Sequence, residues 1–144
     1  MLDAYREHVA ERAAQNIPPA PLSPEQVAEL VELIQAPPAG EESFLIELLT
    51  ERVPPGVDEA AYVKAGFLSS IATAETACAL INREQAVALL GNMLGGYNIG
   101  TLIGLLDDDE VGASAARELK QTILVFDAFH DVQQLAENGS KNAQ

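Results

Sequence analysis

The chain has 144 residues, enough for one domain with a real core, because a chain near this size buries roughly 68–70% of its unfolded surface. Hydrophobic residues make up 48% of it and aromatic residues 5%, which excludes an ordinary disordered tail and favours an aliphatic core. Eight Lys and Arg face 22 Asp and Glu, and the net charge of −14 makes nucleic acid and anionic membranes poor partners.

The N-terminus and the cysteine content point to a reducing compartment. Residues 1–14 carry charges every few positions and lack the apolar stretch of a signal peptide. No run approaches the roughly 18 apolar residues of a membrane helix. Cys78 is the only cysteine, which excludes an internal disulfide and any cluster held by several thiolates of this chain. We therefore expect a soluble, cytoplasmic protein.

The first half of the chain has helical apolar patterns separated by proline-rich breaks. An apolar stripe predicts a helix over about residues 2–15, and the prolines near 17–22 predict an extended connector after it. Ser23-Pro24-Glu25-Gln26 has the residues of a capping box and starts a second helix. A third helix has Glu41 and Glu42 in its first turn, which the helix dipole favours. Asp58 can cap a fourth helix, whose two apolar sides predict packing between neighbours.

The middle of the chain contains one indistinct stretch and two further helix starts. Residues 73–81 are rich in Ala and Thr without an apolar stripe, and they are predicted to form a loop or a frayed turn. Asn82 starts a fifth helix, which Gly95-Gly96 is expected to stop. Asn98 is then predicted to cap the next helix.

The stretch from Asn98 to Leu119 has the spacing of two short helices folded back on each other across an acidic corner at Asp107–Glu110. We interpret this corner as a solvated turn. The spacing is similar to one HEAT-type helical repeat, although Gly112 stands where such repeats often carry Arg.

The last helix is predicted to run through Ile123 and Phe126 to about Leu135, with a stop at Asn138-Gly139. No segment alternates between apolar and polar residues as a strand between hairpin turns does. The predicted fold class is therefore all-α, a HEAT-like stack of antiparallel helix pairs that forms a single domain over residues 1–144.

Asp107 to Glu118 has part of the pattern of a calcium-binding loop, with acids at the first and third positions, Gly112 at the sixth and Glu118 at the twelfth. Val111, at the fifth position, has no side-chain oxygen, and the same residues fit a helix. We therefore interpret the acids as a helix start that the dipole favours. The glycines between 91 and 100 lack a preceding strand, so they predict a helix stop and close helix packing rather than a phosphate-binding loop.

Asp127, His130 and Asp131 are weak candidates for a metal site. Their i, i+3, i+4 spacing puts two carboxylates and an imidazole on one helical face, without a fourth ligand. The other histidine, His8, is distant in sequence, so a solvated flank is the preferred interpretation. Cys78 has no nearby His and is interpreted as a loop or small buried residue. The sequence therefore assigns no catalytic and no cofactor-binding residue.

Four runs of sequence resemble the N-terminal domain of bacterial aconitase B, and together they span most of the chain. They are MLDAYREHVAERAA (1–14), PPAGEESFLIELLTERVPPGVDEAAYVKAGFL (37–68), LLGNMLGGYNIGTLIGLLDD (89–108) and FDAFHDV (126–132). The segments 53–67 and 95–99 are the most specific, whereas 73–85 and the tail after Val132 match least. The resemblance implies a HEAT-like helical domain ahead of the aconitase core.

The resemblance also implies a larger parent enzyme, a lyase that interconverts citrate and isocitrate through cis-aconitate in the tricarboxylic acid cycle on a [4Fe–4S] cluster. The three cysteines of that cluster lie downstream in the family, so this chain alone is expected to be inactive and free of cofactor. The family implies packing on the catalytic and swivel domains, a part in the path to the active site, and an iron-responsive homodimer. Family members that have lost the cluster bind messenger RNA, but the net charge of −14 predicts that this domain is not the main RNA-contacting surface.

Two hypotheses follow. The chain is either an interaction domain excised from a larger lyase or a free-standing HEAT-like adaptor without an enzyme attached. The run Lys141-Asn142-Ala143-Gln144 is not a natural stopping point in the family, which favours the first hypothesis. Continuation of the reading frame past Gln144 would decide between them.

Overall fold

The computed structural model describes residues 1–122 and 125–144, which form eight α-helices and one short 3-10 helix, with no strand among them. The helices are α1 (Leu2–Ala14), α2 (Pro24–Gln35), α3 (Glu42–Glu51), α4 (Glu59–Ala72), α5 (Arg83–Gly91), α6 (Ile99–Gly104), α7 (Gly112–Gln121), the 3-10 helix (Phe126–Ala128) and α8 (Phe129–Glu137). The predicted all-α class is confirmed, and residues 73–81 form the predicted loop.

The helix starts follow from the capping residues that the sequence supplies. At α2 the Gln26 amide donates to Ser23 Oγ at 3.3 Å, and the Ser23 amide donates to Gln26 Oε1 at 2.9 Å. Asn82 and Gln85 make the same reciprocal pair at α5, at 2.8 and 2.9 Å. The Asp58 carboxylate caps α4. Each cap satisfies an amide that the first helical turn leaves without a partner, so these predicted starts are confirmed.

We expect Ser23→Ala to lower the free energy of unfolding by about 1 kcal/mol, because the Gln26 amide would lose its acceptor. Urea denaturation followed by circular dichroism measures this loss. Ser43→Ala is the matched control, since Ser43 is exposed within α3 and its change should be neutral or slightly stabilising. Equal stability losses in the two variants would contradict the capping assignment.

The proline-rich connector over residues 17–22 contains no helix or strand, and it is fixed against α1. The Tyr5 hydroxyl donates to the Ala20 carbonyl at 2.9 Å, and the Ala20 amide donates to His8 Nε2 at 2.9 Å. Leu22 is buried in the core. His8 is therefore a structural hydrogen-bond acceptor in this position.

The core is aliphatic, as the composition predicts. Its largest fully buried side chains are Leu30, Ile34, Leu45, Leu48, Leu49, Leu68, Leu90, Met93, Leu102 and Leu106. Consecutive helices pack as α2 on α3, α4 on α5 and α6 on α7, while α4 also packs on α2, and α5 on α7. The prediction that α4 lies between neighbours is confirmed.

Two predicted helix ends are wrong. The fifth helix ends at Gly91 rather than at Gly95-Gly96. The residues that follow it form a loop, in which the Leu94 amide donates to the Pro55 carbonyl in the loop after α3. The predicted long last helix is broken, since α7 ends at Gln121 and Thr122 is extended. Ile123 lies outside the described residues.

The break after α7 allows α8 to return to the core. Val132 and Leu135 pack against a second apolar cluster that contains Ile103 and Leu106. A straight helix would carry these side chains away from the cluster at about 1.5 Å per residue. Val132 and Leu135 are thus partly buried, whereas the predicted continuity of the helix is wrong. Asn138-Gly139 follows the end of α8, as predicted.

Candidate functional site

Two loops meet beside the start of α4. The Leu94 amide donates to the Pro55 carbonyl at 2.7 Å, and the Tyr97 hydroxyl donates to the Val57 carbonyl at 2.7 Å. One backbone bond and one side-chain bond therefore hold the loop before α4 against the loop between α5 and α6.

Gly95 permits this close approach of the two loops. A Cβ atom at position 95 would lie 2.0 Å from the Gly56 carbonyl oxygen and 2.5 Å from its carbon. These are backbone atoms, so rotation of a side chain could not relieve the overlap. Only glycine fits here without separating the loops.

The paired loops display an exposed apolar surface. Val57, Tyr62, Leu94 and Tyr97 are exposed by 74%, 64%, 65% and 38%, and we call these four residues the Tyr62–Tyr97 patch. The two tyrosine rings pack edge to face with their centroids 5.3 Å apart. Large apolar side chains exposed together on one surface mark a contact region more often than scattered ones do.

Asn98 fixes the second loop from inside the protein. Its side chain is fully buried, and its Nδ2 donates to the carbonyls of Leu90 at 2.7 Å and Met93 at 3.3 Å. The amide thus satisfies a carbonyl at the end of α5. The prediction that the Asn98 side chain caps the following helix is wrong. Its Nδ2 donates only to carbonyls of residues that precede it in the sequence, and the side chain makes no cap hydrogen bond to α6.

Sequence reasoning missed this patch. It interpreted Gly95-Gly96 as a helix stop with close helix packing, and it assigned two apolar sides of α4 without including the exposed Tyr62. The available signal was a large apolar residue next to Gly in each loop, in Gly56-Val57 and in Leu94-Gly95-Gly96-Tyr97. Pairing of the two loops cannot be deduced from either segment alone.

The acidic corner between α6 and α7 is an ionic junction. Arg83 Nη2 lies 2.5 Å from Asp108 Oδ2, and Arg83 Nη1 lies 2.6 Å from Glu110 Oε2. Arg83 Nε also donates to the Ala72 carbonyl at 2.9 Å, so one side chain joins the end of α4, the start of α5 and the corner. The interpretation of the whole corner as a solvated turn is therefore wrong for Asp108.

Hydrogen bonding stabilises the charged form of Asp108. The Arg83 guanidinium and the amides of Val111 and Glu110 all donate to its carboxylate, and they lower its pKa from 3.8 to about 2. The same contacts raise the pKa of Arg83. The carboxylate is thus fully charged and engaged at neutral pH.

We expect Asp108→Asn to lower the free energy of unfolding at pH 7 by about 0.5–1 kcal/mol, because Asn keeps an amide acceptor but loses the charge that faces Arg83. The lowered pKa means that this contribution is present above about pH 4 and is lost as the pH falls through about 2. Urea unfolding across this range should show the two stabilities converging. Asp109→Asn, at an exposed neighbour, should leave stability at pH 7 nearly unchanged. A constant difference between wild type and Asp108→Asn would contradict this assignment.

The geometry of the corner does not match a calcium-binding loop. Asp108 is paired with Arg83, and Glu118 lies on α7, as the helical interpretation predicts. Gly112 is buried, and a Cβ there would lie 2.6 Å from the Leu106 carbonyl oxygen. The close approach at this corner favours Gly at position 112.

The structure places the three weak metal candidates on the surface. Asp127 lies in the 3-10 helix, while His130 and Asp131 lie in the first turn of α8, and all three are exposed. Within residues 1–122 and 125–144, no group of three or more His, Cys, Asp or Glu side chains could hold a metal ion. Cys78 is a half-buried free thiol in the loop before α5.

A second exposed apolar surface lies near the C-terminus. Phe126 and Phe129 are exposed by 82% and 61%, and we call them the C-terminal aromatic pair. They line a shallow cavity with Thr122, Val125 and His130.

The comparisons with known proteins agree with the resemblance seen in the sequence. The family model described as the aconitate B N-terminal domain matches residues 4–144. The chain belongs to this family. It is 60% identical over 144 residues to an aconitate hydratase B of Pseudomonas aeruginosa and 57% identical over the same length to one of Escherichia coli. An aconitate hydratase B of Helicobacter pylori is 41% identical over 133 residues, which are 91% of this chain and 16% of that protein.

The chain covers only a small part of the length of its relatives. The whole chain aligns with 17% of the length of the Pseudomonas aeruginosa and Escherichia coli proteins. An iron–sulfur cluster of the kind the family uses needs several thiolates, and Cys78 is the single cysteine. The residues of this chain therefore do not fit the cluster.

No helix among the described residues is long and apolar enough to cross a bilayer.

Proposed function

We propose that this chain is a non-catalytic interaction and scaffold domain at the N-terminus of an aconitate hydratase B. The family match over residues 4–144 carries the proposal. The parent would be a cytoplasmic lyase that interconverts citrate and isocitrate through cis-aconitate, with its [4Fe–4S] cluster held by downstream cysteines. This chain would pack on the catalytic and swivel domains.

The helix packing supports a HEAT-like arrangement within a single domain over residues 1–144. Consecutive helices from α2 to α7 pack as three pairs, and alternate helices join one pair to the next. Such layering is typical of helical repeats, in which each pair buries its apolar face against its neighbours. The repeat would supply a rigid framework on which the exposed patches are held.

The charge of the chain bears on its partners. A net charge of −14 repels the phosphates of nucleic acid, so contact with messenger RNA would fall on other parts of the parent. A homodimer would bring two chains of net charge −14 together, so its interface would need to screen or offset their mutual repulsion. Light scattering with and without ferrous iron on the full-length protein would test an iron-responsive dimer.

The proposal is tested by the size and activity of the native gene product. We expect a polypeptide several times longer than this chain that hydrates cis-aconitate, and we expect the isolated 144 residues to be inactive. A mature product of 144 residues would instead support the free-standing adaptor. A long product without aconitate hydratase activity would refute the enzymatic part of the proposal.

A further inference from the structure

We infer that the Tyr62–Tyr97 patch is the surface through which this domain docks on another domain of the same parent polypeptide. The inference rests on the proposed function, because it requires a parent enzyme. It specifies which of the exposed surfaces makes the contact.

The patch gathers most of the exposed apolar side chains of the chain. Among the described residues, seven large hydrophobic side chains are exposed, and four of them belong to this patch. The C-terminal aromatic pair supplies two more, and Ile17 stands in the connector. An acidic surface that concentrates its apolar groups in one place provides a defined region for burial.

The patch is also held in place before any partner binds. The Tyr97 hydroxyl is bonded to the Val57 carbonyl, the Leu94 amide to the Pro55 carbonyl, and Asn98 anchors the second loop from the core. Side chains on a fixed backbone lose less conformational entropy on binding than side chains on a free loop. Tyrosine is moreover among the residues that contribute most to binding at interfaces.

A second copy of this chain is a poor occupant of the patch. The exposed parts of the four side chains amount to a few hundred Å², so the rest of the roughly 800 Å² that a stable interface buries on each partner would have to come from neighbouring surface that includes the acidic Asp58 and Glu59. Two copies would also bring together two net charges of −14. Both the area and the charge therefore oppose self-association through this surface.

These objections do not apply to a domain of the same polypeptide. Covalent linkage supplies an effective concentration of about millimolar, so a small patch can remain occupied. The relatives have ample length for such a domain, because this chain aligns with only 17% of it. The exposed Asp58 and Glu59 lie beside Val57, so the facing surface should be apolar with basic side chains at its rim.

Photo-crosslinking in the full-length gene product tests the occupant. Tyr62 is replaced by the photoreactive residue benzoylphenylalanine, and the exposed Glu32 on α2 is replaced in the same way as a control. We expect the probe at position 62 to join to a residue beyond 144 of the same polypeptide, with a yield that does not depend on protein concentration. The control should give little or no such product.

Two results would overturn the inference. One is a product of twice the monomer mass whose yield rises with concentration, which would identify a second copy as the occupant. The other is a yield at position 62 no greater than at position 32. Either result would leave the proposed function intact, because the length and activity of the gene product test that function separately.

A paired substitution provides an independent measurement. Val57→Ser combined with Leu94→Ser removes two exposed apolar groups, so the domain should still fold. In the full-length protein, amide hydrogen exchange over residues 94–99 should become on the order of tenfold faster, because undocking would be easier. Phe126→Ser with Phe129→Ser is the matched control and should leave this exchange unchanged. An unaltered exchange rate in the first variant, or equal acceleration in both, would overturn the inference.

Discussion

An Asn98→Asp variant should lose about 3–5 kcal/mol of its free energy of unfolding at pH 7. Asn98 is fully buried, and its Nδ2 donates to the carbonyls of Leu90 and Met93. A carboxylate has almost the same shape but presents an oxygen to each carbonyl instead of a hydrogen. The charge would be desolvated, and two acceptors would lose their donor. Urea denaturation followed by circular dichroism measures the loss.

The pH dependence of this variant separates the electrostatic cause from a simple packing defect. Burial and the facing carbonyls would raise the pKa of the introduced carboxyl above its value in the unfolded chain. The folded state then binds more protons than the unfolded state, so the variant should regain stability relative to wild type as the pH falls. The protonated acid can donate one hydrogen bond, which restores part of the native contact.

Asn92→Asp is the matched control for Asn98→Asp. Asn92 is exposed and directly follows α5, so the same substitution there adds a charge near the same helix end without burying it. The cost should stay below about 1 kcal/mol, as expected for a negative charge at a helix C-terminus. Equal losses at positions 92 and 98, or a pH-independent loss at position 98, would contradict the assigned role of the buried amide.

The accuracy of the sequence predictions depended on how far apart the interacting groups lie. The caps at Ser23 and Asn82 were predictable because donor and acceptor are three residues apart. Asn98 and Asn82 are the same residue type, yet the Asn98 side chain bonds to the carbonyls of Leu90 and Met93, which lie at and just after the end of α5. The sequence does not indicate whether an Asn side chain bonds forward or backward, and burial determines the result here.

The ionic corner and the patch depend on longer-range contacts. The sequence does not distinguish between the three consecutive Asp residues 107–109. Arg83 forms its ion pair with Asp108 because the fold brings the start of α5 to the corner. In the same way, the importance of Gly95 becomes visible only when Gly56, 39 positions earlier, lies against it. The helices and the aliphatic core could thus be predicted from local patterns, whereas the candidate site could not.

Gly95→Ala should lower the free energy of unfolding by about 2–3 kcal/mol, the upper part of the usual range for overpacking. The new methyl would overlap the Gly56 carbonyl group, at 2.0 Å from its oxygen, and the two loops would have to separate. The Leu94 and Tyr97 hydrogen bonds to the first loop would lengthen. Near-ultraviolet circular dichroism should report the change around the paired tyrosines, and urea denaturation should report the stability.

Gly66→Ala is the matched control for Gly95→Ala, because it adds the same methyl group at a position where no neighbouring atom would overlap it. Gly66 is exposed in the middle of α4, and a Cβ there meets nothing within 4 Å, so alanine should be neutral or stabilise by up to about 1 kcal/mol. Opposite signs at positions 66 and 95 would show that contact between the loops, rather than loss of glycine, controls stability. If Gly95→Ala were as stable as wild type with unchanged tyrosine dichroism, the loops would not be held together as described. The Tyr62–Tyr97 patch would then lack the fixed backbone on which its docking role depends.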